Sequence, residues 1–170
     1  NKTKGIDLLL KAFSTIENEN FTMKIAGEIN EYKKELDKII DICNLKEKVE
    51  FLDIVKGDIK NTLIKEAWVV VSPTYSDVIG MVNLEAASFK TPVITTFKTG
   101  LKESWSHNGG KLINPTVAEL QEALIEVMNW RVETRYINGQ KLFNYVLDNY
   151  SWNNQLNKWE ELYQKAINNG

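Results

Sequence analysis

The chain has 170 residues, 43% of them hydrophobic and 26% charged, the balance of a soluble globular domain with one substantial core. With a formal net charge of −2, nothing calls for nucleic acid or an anionic membrane surface as the main partner. The single cysteine, Cys43, excludes an internal disulfide or a cysteine-based metal site, and no apolar run reaches the roughly 20 residues of a membrane-spanning helix. Cys43 is expected as a small buried hydrophobe. With no leader-like pattern at its start, the chain is expected in the cytoplasm.

Ile6, Leu9, Leu10, Phe13 and Ile16 recur at helical spacing and predict a first helix over residues 5–16. Residues 21–27 read as a strand closed by Gly27. Asn30 is placed to cap a helix running to about Cys43, with Leu36, Ile39 and Ile40 on its inner face. Residues 49–52 predict a short strand and 61–67 a short helix. The run Trp68, Val69, Val70, Val71, Ser72, ended by Pro73, suits a strand buried on both faces of a parallel sheet. Residues 80–89 read as a helix, 92–96 as another buried strand and 111–113 as a last short one. Thr116 with Glu119 forms a capping box for a helix to about Trp130. Residues 135–170 make a helical tail, interrupted at 149–153, where Ser151 is the expected N-cap.

Strands alternating with helices at this spacing predict one α/β domain over residues 1–170, a doubly wound parallel sheet. In the strand order 3-2-1-4-5-6 the first strand is central. Here residue 1 falls directly before the first helix, so either the protein continues upstream with the first strand or another segment fills its slot. The chain is therefore expected to be a fragment of a longer protein.

Residues 72–87 carry the chemistry. They leave a buried strand and open a helix, and so lie at the carboxyl edge of the sheet, where open α/β folds bind ligands. The amides of Gly80, Met81 and Val82 are free donors at a helix N-terminus, a ready diphosphate site, and Gly80 permits close approach of an anion. Two carboxylates flank them, Asp77 in the loop and Glu85 in the helix. Carboxylates beside phosphate are unfavourable unless they accept from hydroxyls, and the diols of ribose and hexose fit that role. The bland alternative is that Asp77 caps the helix and Glu85 is a solvated side chain.

Residues 72–95 resemble the E-x7-E region of family 4 (group 1) retaining glycosyltransferases, which have the two-domain GT-B architecture. Further segments match in the same order. Lys4, Gly5, Leu9, Ala12 and Phe13 resemble the family's K-G-x-x-x-L-L-x-A-F helix, Ile25, Ala26 and Gly27 its second strand, and Val49, Phe51 and Leu52 its V-x-F-L-G strand. Gly100 with Glu103, then Gly109 to Ile113, and finally Tyr150, Ser151 and Trp152 complete the series.

The resemblance implies a Rossmann-like, donor-binding C-terminal half, with the acceptor domain and the first strand absent from this chain. It implies that Lys4 contacts the donor diphosphate, that the Gly80, Met81 and Val82 amides bind phosphate, that Glu85 holds the ribose hydroxyls, and that Asp77 contacts the transferred sugar. Asp77 and Glu85 are thus the implied catalytic pair. The implied substrate is a UDP- or GDP-type nucleotide sugar, with no metal and no cofactor. The acceptor is a glycan or a lipid-linked molecule, and any peripheral membrane association, at the inner face, would reside in the absent half. The alternative is a non-catalytic GT-B-like module that binds a partner.

Departures from the family pattern have physical consequences. Asp77 replaces glutamate and reaches about 1.5 Å less far. Val78 and Ile79 replace Gly-Phe, Lys90 stands where glycine is common, Asp53 replaces a glycine after the third family strand, and Thr99 replaces the first glycine of a pair. The lone His107 is expected on the surface. The tryptophans at 68, 105, 130, 152 and 159 are expected in packing, with Trp105 the one candidate for base stacking.

Overall fold

The computed structural model describes residues 1–17 and 19–168. After a 3-10 turn at Lys2–Lys4 the order is α1 (Ile6–Ser14), β1 (Met23–Ala26), α2 (Lys33–Ile42), β2 (Val49–Leu52), α3 (Gly57–Glu66) and β3 (Val70–Ser72). Then follow α4 (Met81–Ser88), β4 (Val93–Thr96), α5 (Ser104–His107), β5 (Lys111–Ile113), α6 (Val117–Met128), α7 (Val132–Tyr150) and α8 (Trp152–Asn168). All pairings are parallel. Met23 lies opposite Val49, Val70 opposite Val93 and Ile94 opposite Lys111.

The period-2 alternation of the strands divides the core. Ile94 and Ile113 point to one face, where they meet Leu9, Leu10 and Phe13 of α1, Leu36 and Ile40 of α2, and Leu120, Leu124 and Val127 of α6. Val93 and Leu112 point to the other, against Ala86 and Ala87 of α4, Trp105, and Leu142 and Val146 of α7. Helices thus cover both faces, as a doubly wound sheet requires.

The sheet is not continuous. β1 and β2 form one piece, and β3, β4 and β5 another. The break falls between β1 and β3, the position that the 3-2-1-4-5-6 order gives to a first strand. Both faces of β3 are packed as the sequence predicts, Val69 and Val71 against the first core cluster and Val70 against the second. β4, flanked on both sides, has all four residues buried, whereas the three residues of β3 are half-buried because one edge faces a cleft.

Other expectations shift locally. α3 begins at Gly57, four residues before the expected 61, and α5 was not foreseen. Asn30 caps a turn rather than α2 itself: its Oδ1 accepts from the Tyr32 amide at 3.1 Å. Thr116 Oγ1 accepts from the Glu119 amide, but the Glu119 carboxylate turns to the Asn114 backbone amide at 2.7 Å, so the capping box is half-made. α7 and α8 break at Ser151, whose carbonyl accepts from the Gln155 amide while its buried hydroxyl has no partner among the described residues. Cys43 is only partly buried. Trp68 and Trp130 pack against the first core cluster and Trp105 is fully buried, but Trp152 is 78% exposed and Trp159 49% exposed, both on α8. The family-like glycine position at Lys90 adopts a left-handed φ of 61°.

Candidate functional site

The segment leaving β3 is docked onto the N-terminal turn. Thr74 Oγ1 and the Tyr75 amide both donate to the Thr3 carbonyl, at 2.9 and 2.8 Å. Gly5 permits this approach. Its φ is 66°, and a Cβ there would overlap the Pro73 carbonyl. The pairing of lysine with glycine at 4 and 5 thus has a steric basis: only a residue without a side chain brings Lys4 up to the end of β3.

Lys4 is there for Asp77. Its Nζ donates to Asp77 Oδ2 at 2.6 Å, and Oδ1 of the same carboxylate accepts from the Val78 amide at 2.9 Å. The Lys4 ammonium holds the Asp77 carboxyl below the usual aspartate range, helped by the Val78 and Gly80 amides and opposed by partial burial. A second loop braces this one: the Asp77 amide donates to the Lys98 carbonyl at 2.9 Å, and the Gly100 amide to the Val78 carbonyl at 2.5 Å. A Cβ on Gly100 would stand 2.6 Å from that carbonyl, so this glycine too is required by close approach.

Gly80 opens α4 with a φ of 69°. Beneath it, the buried Asn83 donates from Nδ2 to the Ile79 carbonyl at 2.9 Å and to Thr95 Oγ1 at 3.3 Å, pinning the turn. Among the described residues the amides of Met81 and Val82 have no acceptor, and both side chains are exposed. Glu85, farther along α4, is paired across to α3. Lys60 Nζ donates to its Oε1 at 2.8 Å, and each side chain is 36% exposed. The reading of Asp77 as a mere helix cap and Glu85 as simply solvated is therefore incomplete, because each acid carries its own lysine.

A cleft of about 500 Å³ occupies the gap between β1 and β3, bordered by Val70 and Val71, and reaches their carboxyl ends, where Lys4, Gly27, Asp77, Gly80 and Val82 line it. Met81 and Glu85 lie outside that lining. Thus four of the six sequence-predicted residues converge and two flank them. Below the cleft, Asp7 accepts from Tyr32 Oη at 3.0 Å and from Tyr75 Oη at 3.4 Å, joining α1, α2 and the loop after β3. Burial, then Asp7, raises both phenols above the usual tyrosine range. Asp7 and Lys60 escaped sequence reasoning because each partner is distant along the chain, and no spacing signals such pairs. Trp105 is corrected from candidate base platform to core: it is fully buried edge-to-face against Tyr145, their centroids 6.3 Å apart. His107 is exposed.

Among the described residues no three His, Cys, Asp or Glu side chains gather closely enough to hold a metal ion, and no helix is long and apolar enough to cross a membrane.

Residues 1–141 match the family described as glycosyl transferases group 1. The chain is 30% identical over 168 residues to the uncharacterized glycosyltransferase MJ1607 of Methanocaldococcus jannaschii, covering 96% of this chain and 42% of that protein. It superposes with a TM-score of 0.77 on the C-terminal domain of a group 1 glycosyl transferase, LpcC, from Francisella tularensis, at 22% identity, covering 89% of this chain and 82% of that one. It superposes with a TM-score of 0.80 on Anabaena HepE in complex with UDP and glucose, at 18% identity, covering 96% of this chain and 45% of that one. The chain spans less than half the length of MJ1607 and of HepE.

Proposed function

The chain belongs to the group 1 glycosyltransferases, and on that premise we propose that it is the donor-binding half of a retaining enzyme, which moves a sugar from a nucleotide diphosphate to a glycan or lipid-linked acceptor. Its fold is that of the Rossmann-like C-terminal domain of the GT-B architecture. One observation supports the reading most: the Lys4 ammonium, the Asp77 carboxylate and the N-terminal amides of α4 meet in one cleft at the carboxyl ends of the strands. The binding of UDP and glucose by a protein of the same fold is consistent with it.

In this reading the donor diphosphate lies over the amides of Gly80, Met81 and Val82 and takes Lys4 over from Asp77. As the bond from the anomeric carbon to the phosphate oxygen breaks, its electron pair leaves with the nucleoside diphosphate. Preorganised amides and one ammonium offset that growing charge, with no metal or cofactor assigned to the task. Asp77, released from Lys4, accepts from a hydroxyl of the sugar, and Glu85 accepts from the ribose diol. The acceptor hydroxyl, held by a domain outside this chain, forms its bond to the anomeric carbon from the same face and gives its proton to the departing phosphate oxygen. The reaction is assigned to the cytoplasm, at the inner face of the membrane where the acceptor is lipid-linked.

Calorimetric titration of the chain with UDP, GDP and ADP tests the proposal. Saturable binding of at least one, without sugar transfer by the chain alone, is expected. If none of the three binds at millimolar concentration, the donor-domain reading fails.

A further inference from the structure

Each carboxylate beside the α4 amide cluster is held by a lysine from another element, Asp77 by Lys4 and Glu85 by Lys60. The second pair is the unexpected one. We infer that Lys60 is a positioning residue of the nucleoside subsite, which orients Glu85 for the ribose diol. The inference rests on the reading of Glu85 as the ribose carboxylate.

Three observations carry it. Lys60 reaches from α3 to α4 and donates to Oε1 at 2.8 Å, while Oε2 has no partner among the described residues. One carboxylate oxygen is thereby fixed and the other stays open to a hydroxyl. Both side chains are 36% exposed, accessible to a ligand and yet too screened by solvent for the pair to matter much as a stability device. Finally, the ammonium has three donors and spends one on Glu85, so a ribose seated on Oε2 meets further donors beside it. A glutamate without this clamp rotates about its side-chain torsions and loses that freedom on binding; the clamp removes part of the cost beforehand.

The experiment titrates the full chain with UDP and GDP and with their 2′-deoxy counterparts, at fixed ionic strength, for the wild type, Lys60→Met, Lys60→Arg and Glu85→Gln. The wild type is expected to prefer the ribonucleotide by about tenfold. Lys60→Met should cut that preference to about twofold while leaving deoxynucleotide affinity nearly unchanged, which also shows that the variant is folded. Lys60→Arg should restore most of the preference. A wild-type preference retained in Lys60→Met overturns the inference alone, as does an equal loss for both nucleotides. No preference in the wild type overturns the ribose role of Glu85 and the inference with it, and no binding at all overturns the donor-domain reading itself.

Discussion

Asp77 keeps its charge to lower pH than a free aspartate because the Lys4 ammonium stands 2.6 Å from its Oδ2. A depressed folded-state pKa contributes stability that is fully present above the ordinary aspartate value of about 3.9 and is lost as pH falls through the lower folded value. Urea midpoints followed downward from pH 6 should therefore show Asp77→Asn less stable than wild type, with the difference narrowing as the pH falls through the lowered Asp77 value. The same variant frees Lys4 for phosphate. We expect UDP or GDP to bind it about two- to fivefold more tightly by calorimetry, while transfer by the full-length enzyme falls. Gly5 sets up the whole contact. Gly5→Ala places a Cβ on the Pro73 carbonyl at a left-handed φ, and thermal unfolding should show a loss of about 2 kcal/mol or more, with weakened nucleotide binding as Lys4 is displaced.

α4 joins the site to the core, and its two ends are built differently. Its N-terminus is a glycine turn pinned from below by Asn83. Its C-terminus is a Schellman motif: the Thr91 amide donates to the Ala86 carbonyl and the Lys90 amide to the Ala87 carbonyl, with Lys90 left-handed between them. Glycine is common at that family position for this reason, and a lysine there pays the Cβ penalty. Lys90→Gly should raise stability by about 1 kcal/mol in chemical denaturation without changing nucleotide affinity. A decrease would mean that the contact of Lys90 with the Phe143 ring outweighs the backbone strain. α7 is anchored more heavily, since Arg135 donates from Nε to the Trp68 carbonyl at 2.9 Å and from Nη2 to that of Ala67, while Gly139 passes close under the Lys90 carbonyl. α8 differs from both. Trp152, Leu156, Trp159, Tyr163 and Ile167 recur along it at helical spacing, and all five are at least half-exposed or nearly so.

At the scale of the molecule, the divided sheet dominates. Among the described residues β1 is paired only with β2 and β3 only with β4, and their other edges face the cleft. In a parallel ladder alternate amides point to opposite neighbours. The amides of Met23 and Val70 donate toward β2 and β4, so those of Lys24 and Val71 point to the open edges. Hydrogen exchange resolved by residue should find Lys24 and Val71 about 100-fold or more faster than Ile94 and Thr95 in the fully flanked β4. Equal protection would mean that the open edges are covered in solution.

The alternation of strands and helices, the helical stripe of α1, the buried run of β4 and the amide turn at Gly80 were legible in the sequence, because each rests on periodicity or backbone chemistry within a few neighbouring residues. The tertiary structure alone decided what Asp77 and Glu85 touch. Lys4 lies 73 residues from Asp77 and Lys60 lies 25 from Glu85, and such pairs form only when packing brings separate elements together. Trp105 shows the same limit: a tryptophan in a loop-like stretch reads as a surface platform until α7 closes over it. Local order is dictated by near neighbours along the chain, whereas the partners of a charge, and whether an aromatic ring meets solvent or core, depend on which distant elements the fold sets side by side.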